Sequence, residues 1–278
     1  MPRPQAPRVS TRRWEAGAWR EAPDQVATEE PLQLSLGGRP LSIVMRTPGH
    51  DLELALGLLH AERVIRGLED VAEVWISAEA DETADQVPVR AELVESNQVD
   101  LRLREGVPGR RPERSFLSSS ACGVCGATTI ESLQLDFAQL PAGPEIDPAV
   151  LPGLAGQLRS QQRVFEQTGG LHAAGLFGLD GRLRLLREDV GRHNAVDKVV
   201  GRLLLEGALP ASESLLAVSG RAGYEIVQKA VAAGIPLVAA VGAPSSLAVA
   251  TAQGFGQTLV GFLRGDRFNV YSASERLG

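Results

Sequence analysis

The only two cysteines of this 278-residue chain, Cys122 and Cys125, lie in the run Ser118-Ser119-Ser120-Ala121-Cys122-Gly123-Val124-Cys125-Gly126. A C-x-x-C pair among small, polar residues points to reactive sulfur or half a metal site rather than to packing. A free thiol titrates near about 8.5, so little of it is thiolate at neutral pH. Thr128-Thr129-Ile130-Glu131 fits a capping box and predicts a helix from Thr128 to about Ala138. The positive end of that helix would point back at the cysteine loop and lower the thiol pKa.

From spacing alone, three readings of the pair stand level: structural zinc, a thioredoxin-like redox pair, and a sulfur carrier. Zinc needs four ligands, and the other candidates are His50, His60, His172 and His193, none paired at close spacing. A thioredoxin-like pair should follow a strand in a βαβ unit. A carrier needs one nucleophilic thiolate and gains from a second thiol.

A second constellation is Arg187-Glu188-Asp189-Val190-Gly191-Arg192-His193-Asn194-Ala195-Val196-Asp197-Lys198. On a helix, His193 and Asp197 share a face, as do Asn194 and Lys198. The plainest role for His193 is a hydrogen bond to Asp197. A hairpin followed by this helix resembles the core of the cytidine deaminase fold. Zinc deaminases carry H-x-E there and C-x-x-C later in the chain. Here Ala195 replaces the glutamate and the C-x-x-C comes earlier, so deaminase chemistry is not expected even where the fold is shared.

Ser219-Gly220-Arg221-Ala222-Gly223 and Gly242-Ala243-Pro244-Ser245-Ser246 each join a strand to a helix. Such glycine loops can offer backbone N–H groups to an anion, though neither matches a dinucleotide fingerprint or a P-loop. The segment Gly261-Phe262-Leu263-Arg264-Gly265-Asp266-Arg267-Phe268-Asn269-Val270-Tyr271 offers arginines for phosphate and an aromatic ring for a base, or simply a terminal strand and turn.

The composition sets the limits. Hydrophobic residues make up 44% of the chain and charged residues 22%, as in globular domains with a sizeable core. The net charge of −6 argues against general nucleic-acid binding. No apolar run is long enough to span a membrane. Arg12-Arg13 is a twin-arginine pair, but the following residues lack an export signal's apolar stretch, so residues 1–27 read as a mobile polar tail. Few cysteines suggest a reducing compartment, and a cytoplasmic location is expected. Lys198 and Lys229 are the only lysines, so the remaining basic residues are arginines, which suit bidentate phosphate contacts.

Elements must position these groups. A hairpin is predicted from Leu32 to Met45 around Gly37-Gly38-Arg39-Pro40, then a helix opening at Thr47-Pro48. Strands are predicted over Val71–Ile76, Val87–Val94 and Val99–Leu103. Together they form a small α+β domain at 28–108, followed by a domain at 109–278 with a mobile loop at 117–127. In the second domain one helix is predicted over Leu154–Glu166 and a hairpin over Leu171–Arg187, turning at Asp180-Gly181. A helix from Asp189 or Val190 to Leu205 follows. The predictions continue with strand Leu215–Val218, helix Tyr224–Ala233, strand Ile235–Val241, helix Ser245–Gly254 and strand Thr258–Leu263. This alternation predicts a sheet between helices, largely parallel after its opening hairpin.

Several segments together resemble the formate dehydrogenase accessory sulfurtransferase family. They are Thr47-Pro48-Gly49, Ala121 to Gly126, Thr168-Gly169-Gly170-Leu171-His172, Glu188 to Lys198, Ser219-Gly220-Arg221, and Gly261 to Tyr271. The resemblance implies a cytidine-deaminase-like three-layer domain beside the smaller one. It implies that Cys122 takes sulfur as a persulfide from a cysteine desulfurase; that Cys125 assists release by closing a disulfide is a separate hypothesis from thiol chemistry. The acceptor would be molybdenum bis(molybdopterin guanine dinucleotide), which apo formate dehydrogenase requires. Phe262, Leu263, Arg264, Gly265, Asp266 and Arg267 match the cofactor-binding stretch. Ser219, Arg221, Arg192, His193 and Asn194 are further candidates. A homodimer is implied, no zinc is expected, and guanine nucleotide is a candidate mimic of the acceptor. A chaperone that binds the cofactor without carrying sulfur is the alternative.

Overall fold

Three sheets organise the protein, whose computed structural model describes residues 5–76, 89–90, 97–107 and 137–278. Cys122, Cys125, the 117–127 loop and the helix predicted from Thr128 lie outside the described residues.

The first sheet is a hairpin of β1 (Arg8–Glu15) and β2 (Ala18–Gln25). It corrects the expectation of a tail over residues 1–27. Ala16 and Gly17 both have positive φ, 51° and 83°, as a tight hairpin turn between twisted strands requires. Trp14 and Trp19 meet edge to face across it, ring centroids 5.3 Å apart, with the Arg12 guanidinium 5.2 Å from the Trp19 ring. The arginine-rich segment is therefore held by cross-strand aromatic pairing rather than by a core.

The second sheet has the order β4-β3-β7-β5-β6, formed by β3 (Glu30–Leu36), β4 (Arg39–Arg46), β5 (Val71–Ile76), β6 (Val89–Arg90) and β7 (Gln98–Leu103). Helix α1 (Asp51–Ala61) lies on it, with Leu52, Leu56 and Leu59 packing against Leu32, Leu34 and Val99. Thr47 does not cap this helix. Gly49 and His50 take left-handed conformations first, φ 104° and 57°, and the helix begins at Asp51.

The third sheet has the order β13-β12-β11-β10-β8-β9. Its strands are β8 (His172–Gly178), β9 (Leu183–Asp189), β10 (Ser214–Val218), β11 (Leu237–Ala240), β12 (Thr258–Arg264) and β13 (Arg267–Ser272). Strands β10, β11 and β12 are mutually parallel, and antiparallel hairpins close both ends of the sheet. Side chains alternate along each strand. Leu216, Val218, Val238 and Ala240 face α4 (Arg192–Leu205), α5 (Tyr224–Ala232) and α6 (Ser246–Phe255). Leu215, Ala217, Leu237 and Ala239 face α2 (Leu151–Gln161). The helix predicted over Leu154–Glu166 is two: α2 breaks at Gln162 (φ −77°, ψ 79°) and α3 (Arg163–Thr168) follows.

Helix α1 is buried on nearly every side because α4 covers the face that its own sheet does not. The two helices approach closely through reciprocal glycines. A Cβ on Gly57 would strike the Asp197 carbonyl, and one on Gly201 would strike the Glu53 carbonyl.

Candidate functional site

The charge-dense run Arg187 to Lys198 crosses the seam between the second and third sheets, and most of it is consumed there. Asp189, fully buried at the end of β9, meets Lys198 Nζ at 2.7 Å. It also accepts from Thr47 N at 3.2 Å, Gly191 N at 2.8 Å and Asn194 Nδ2 at 2.8 Å. Lys198 donates onward to the Thr47 carbonyl at 2.9 Å, and Asn194 Nδ2 to the Met45 carbonyl at 2.8 Å. Arg187 makes a two-pronged pair with buried Glu53, at 2.5 and 2.7 Å. Arg46 does the same with Asp51, at 2.9 and 2.8 Å. Such forks fix geometry as well as charge.

Asn194, a cofactor-binding candidate in the sequence, uses its amide nitrogen to join the two sheets. Asp197 does not pair with His193: it accepts from Lys229 Nζ at 2.6 Å. Burial pushes the Asp197 carboxyl up, to about 7, against the opposing pull of Lys229. Burial opposes the charge of Lys229, yet Asp197, Glu225 and Glu62 hold its pKa above the usual range. Both lysines of the chain are thus spent in buried pairs.

His193 stands beside Glu225, Nδ1 to Oε2 3.5 Å. That contact is too long for a strong charge-assisted bond. Burial first, then Lys229, Arg192 and His172, drive the His193 pKa down to about 3, so the ring is neutral. His172 is lowered as well, by burial and then by Arg192.

The ends of the parallel strands form the other half of the picture. Val241 N donates to Val218 O, Gly242 N to Gly220 O, and Phe262 N to Gly242 O, zipping the loops after β10 and β11 to the end of β12. The glycines permit this approach: a Cβ on Gly242 would sit 3.0 Å from the Gly220 carbonyl, and one on Gly261 2.8 Å from Pro244. The Gly242 amide is therefore committed to backbone rather than held out to an anion. Ser219 also has a structural task, since its Oγ accepts from Ala173 N at 2.9 Å.

Behind this zipper, on the α2/α3 face, opens a cleft of about 600 Å³. Leu158, Phe165, Leu171 and Leu263 supply apolar wall, and His172, Ser219, Arg159, Arg264 and Gln162 supply polar groups. A crevice beyond the carboxyl ends of parallel strands is where open α/β sheets bind ligands. Glu188, the one acidic residue of the run that faces this way, accepts from Val164 N at 3.0 Å and Phe165 N at 2.8 Å. It caps α3 and so fixes the cleft wall.

Of the residues predicted from sequence, the structure brings Ser219, Leu263 and Arg264 to the cleft. Arg192 and His172 lie together under Gly220: a Cβ there would be 3.4 Å from the His172 ring and 3.8 Å from Arg192. Arg221 is exposed, and Gly265, Asp266 and Arg267 form the exposed turn into β13. Phe262 is 39% exposed with φ at +54°, an uncommon conformation for an aromatic residue, and the Arg264 guanidinium lies 6.0 Å from its ring. Gln162 and Phe165 were not foreseen. They sit inside a helical pattern with no glycine or proline at the break itself.

Comparisons with known proteins agree with one another. A model of the FdhD/NarQ family matches residues 27–278. The "Sulfur carrier protein FdhD" of Nocardia farcinica is 48% identical over 256 residues, covering 91% of this chain and 88% of that protein. Its namesake in Streptomyces coelicolor is 47% identical over 267 residues, covering 94% and 92%. A crystal structure of a "putative formate dehydrogenase accessory protein" from Desulfotalea psychrophila superposes with a TM-score of 0.75 at 27% identity. It covers 99% of this chain and 100% of that one.

Proposed function

Because this chain belongs to the FdhD/NarQ family, we propose that it is a sulfur carrier in the maturation of formate dehydrogenase. The Cys122 thiolate attacks the outer sulfur of a cysteine desulfurase persulfide, takes that sulfur and releases the desulfurase thiolate. Cys125 then attacks Cys122 Sγ, closing a disulfide and expelling the outer sulfur as hydrosulfide to the molybdenum of the substrate. A dithiol reductant returns the pair to thiols. The substrate is the molybdenum cofactor with two guanine dinucleotide arms, later held by apo formate dehydrogenase. The carrier works in the cytoplasm as a homodimer.

The observation that supports the acceptor half is the cleft at the strand ends, with apolar walls for a ring and Arg264 for phosphate. The order β9-β8-β10-β11-β12, with β8 antiparallel to β10, supports the cytidine-deaminase-like reading of this domain.

Mass spectrometry after incubation with a cysteine desulfurase and cysteine tests the carrier half. The wild type gains one sulfur atom and Cys122→Ala gains none. No gain by the wild type leaves a cofactor chaperone as the reading. Cys125→Ser should load sulfur but deliver it poorly; equal delivery removes the disulfide step.

A further inference from the structure

Among the described residues, the β1–β2 hairpin alone of the three sheets contributes nothing to a buried core. Every residue from 12 to 21 is exposed. From the pair Arg8–Gln25 to the pair Glu15–Ala18 the strands run about 24 Å, at about 3.4 Å per residue. Tryptophan is highly buried on average, yet Trp14 is 58% exposed and Trp19 57%. Their edge-to-face contact, with Arg12 over Trp19, holds both rings in place, so they lose little freedom on meeting a partner. Arg13 and Arg20 stand directly opposite one another on the other face of the hairpin. Like charges so placed destabilise a strand pair. The hairpin holds four arginines against Glu15, Glu21 and Asp24, yet Arg8, Arg12, Arg13 and Arg20 make no ion pair among the described residues. Tryptophan and arginine are the types that carry most of the energy at protein interfaces.

The base of the hairpin fixes where this arm stands. Val26 N donates to the Pro7 carbonyl at 3.1 Å, and Gln25 Nε2 to the Ala6 carbonyl at 3.2 Å. Gln25 Nε2 also reaches Gln167 Oε1 on α3 at 3.4 Å. Ala27 lies so close to Gly170 that a Cβ there would sit 3.1 Å from the Ala27 methyl. Gly169 and Gly170 line the strand-end cleft. The arm thus springs from the wall of the cleft. We infer that it is the docking surface for the protein that receives the cofactor, apo formate dehydrogenase, a role that rests on the cofactor transfer proposed above. A protein gripping an arm rooted in the cleft wall is held beside the cleft's contents, so the occupant is the one to which those contents pass. It meets the two indoles with an apolar recess and the Arg13–Arg20 pair with carboxylates, which relieves the repulsion between them.

The test compares the full wild-type chain with Trp14→Ala/Trp19→Ala and with Arg13→Glu/Arg20→Glu, which keeps the aromatic pair. Affinity for apo formate dehydrogenase, read by biolayer interferometry, should fall roughly thirtyfold or more in both variants, the scale of a lost hot spot. Activation of the apo enzyme by carrier already loaded with sulfur should fall in parallel. Sulfur loading by the desulfurase, GDP affinity and the melting temperature belong to other parts of the molecule, and the first two should change by less than about twofold. Undiminished affinity for the apo enzyme in both variants overturns the inference. So does a loss of loading with delivery intact, which gives the arm to the desulfurase. A change of mass in light scattering with affinity for the apo enzyme retained gives it to a second copy of this chain and overturns the inference as well. A wild type that takes up no sulfur and activates no formate dehydrogenase overturns the proposed function, and this inference with it.

Discussion

The seam between the two larger sheets and the cleft at the strand ends hold similar residue types and use them in opposite ways. In the seam, Asp189, Glu53, Asp51, Lys198, Arg187 and Arg46 are all satisfied by one another or by backbone. In the cleft, Gln162 Nε2 has no partner and Arg264 reaches the surface. A dense run of charged residues in a sequence thus marks the place where two parts of the fold are locked together. The place with open valences is assembled from residues scattered over more than a hundred positions. The lesson is energetic: a buried ion must be matched inside the protein, whereas a charge at the surface, such as Arg264, can be left to water or to a ligand.

If that contrast is right, the seam should fail first. Asp189→Ala leaves Lys198 buried without its counter-charge and strips an acceptor from Thr47 N, Gly191 N and Asn194. Breaking such a pair should cost about 3–5 kcal/mol in a denaturant titration. A loss below about 1 kcal/mol would mean that the seam is looser than its hydrogen bonds imply. Next comes the helix crossing. Gly201→Ala puts a methyl onto the Glu53 carbonyl, and Gly57→Ala does the same to Asp197, so each should cost about 1–3 kcal/mol or more. Both losses appear as lower unfolding midpoints with an unchanged slope.

The sequence predicted Val71–Ile76 to the residue, and the strands and helices from Leu171 to Leu263 to within a few positions, because glycine and proline punctuate them and their apolar periods are clean. It missed the β1–β2 hairpin because eight residues rich in arginine offer no apolar face; cross-strand Trp14–Trp19 pairing is invisible until the register is known. It missed the α2–α3 break because Leu151, Leu154, Leu158 and Phe165 continue a helical period through Gln162. Ser219, Leu263 and Arg264 were singled out in the sequence and all three line the strand-end cleft. The bridging task of Asn194 was not legible, because the same side chain can join two sheets or hold a phosphate and spacing does not tell which. Spacing alone left Cys122 and Cys125 open among zinc, redox and sulfur-carrier readings, because two thiols suit all three.

A smaller effect separates the two regions by pH. His193 sits where they meet, faced by Lys229, Arg192, His172 and Glu225. Its folded pKa of about 3 lies below the unfolded value of 6.5. The unfolded chain therefore takes up the proton first as pH falls, and stability drops from pH 6.5 down toward 3. The slope is bounded by one proton, about 1.4 kcal/mol per pH unit. Asp197, pushed up to about 7, works in the opposite direction but is common to both proteins compared. His193→Gln should flatten the acid limb of the stability profile relative to wild type. Superimposable profiles would show that the ring is not held neutral.

The smallest effect on stability should come from Arg264→Ala, and there the contrast is sharpest. The side chain is exposed at the end of β12, with its guanidinium 6.0 Å from the Phe262 ring, so truncation should change stability by no more than about 0.5 kcal/mol. GDP binding should nonetheless weaken roughly tenfold, with most of the loss disappearing at high salt as the phosphate attraction is screened. The reverse pattern should hold for Arg187→Ala. Its guanidinium is locked onto fully buried Glu53, so its loss should cost up to about 3–5 kcal/mol of stability and leave the GDP affinity of the folded protein unchanged. Two arginines, one spent inside the fold and one left open, should then separate cleanly on a plot of stability against affinity. If Arg264→Ala instead destabilised the fold and left GDP affinity intact, the strand-end cleft would be a second seam, and the search for the nucleotide would move elsewhere on the molecule.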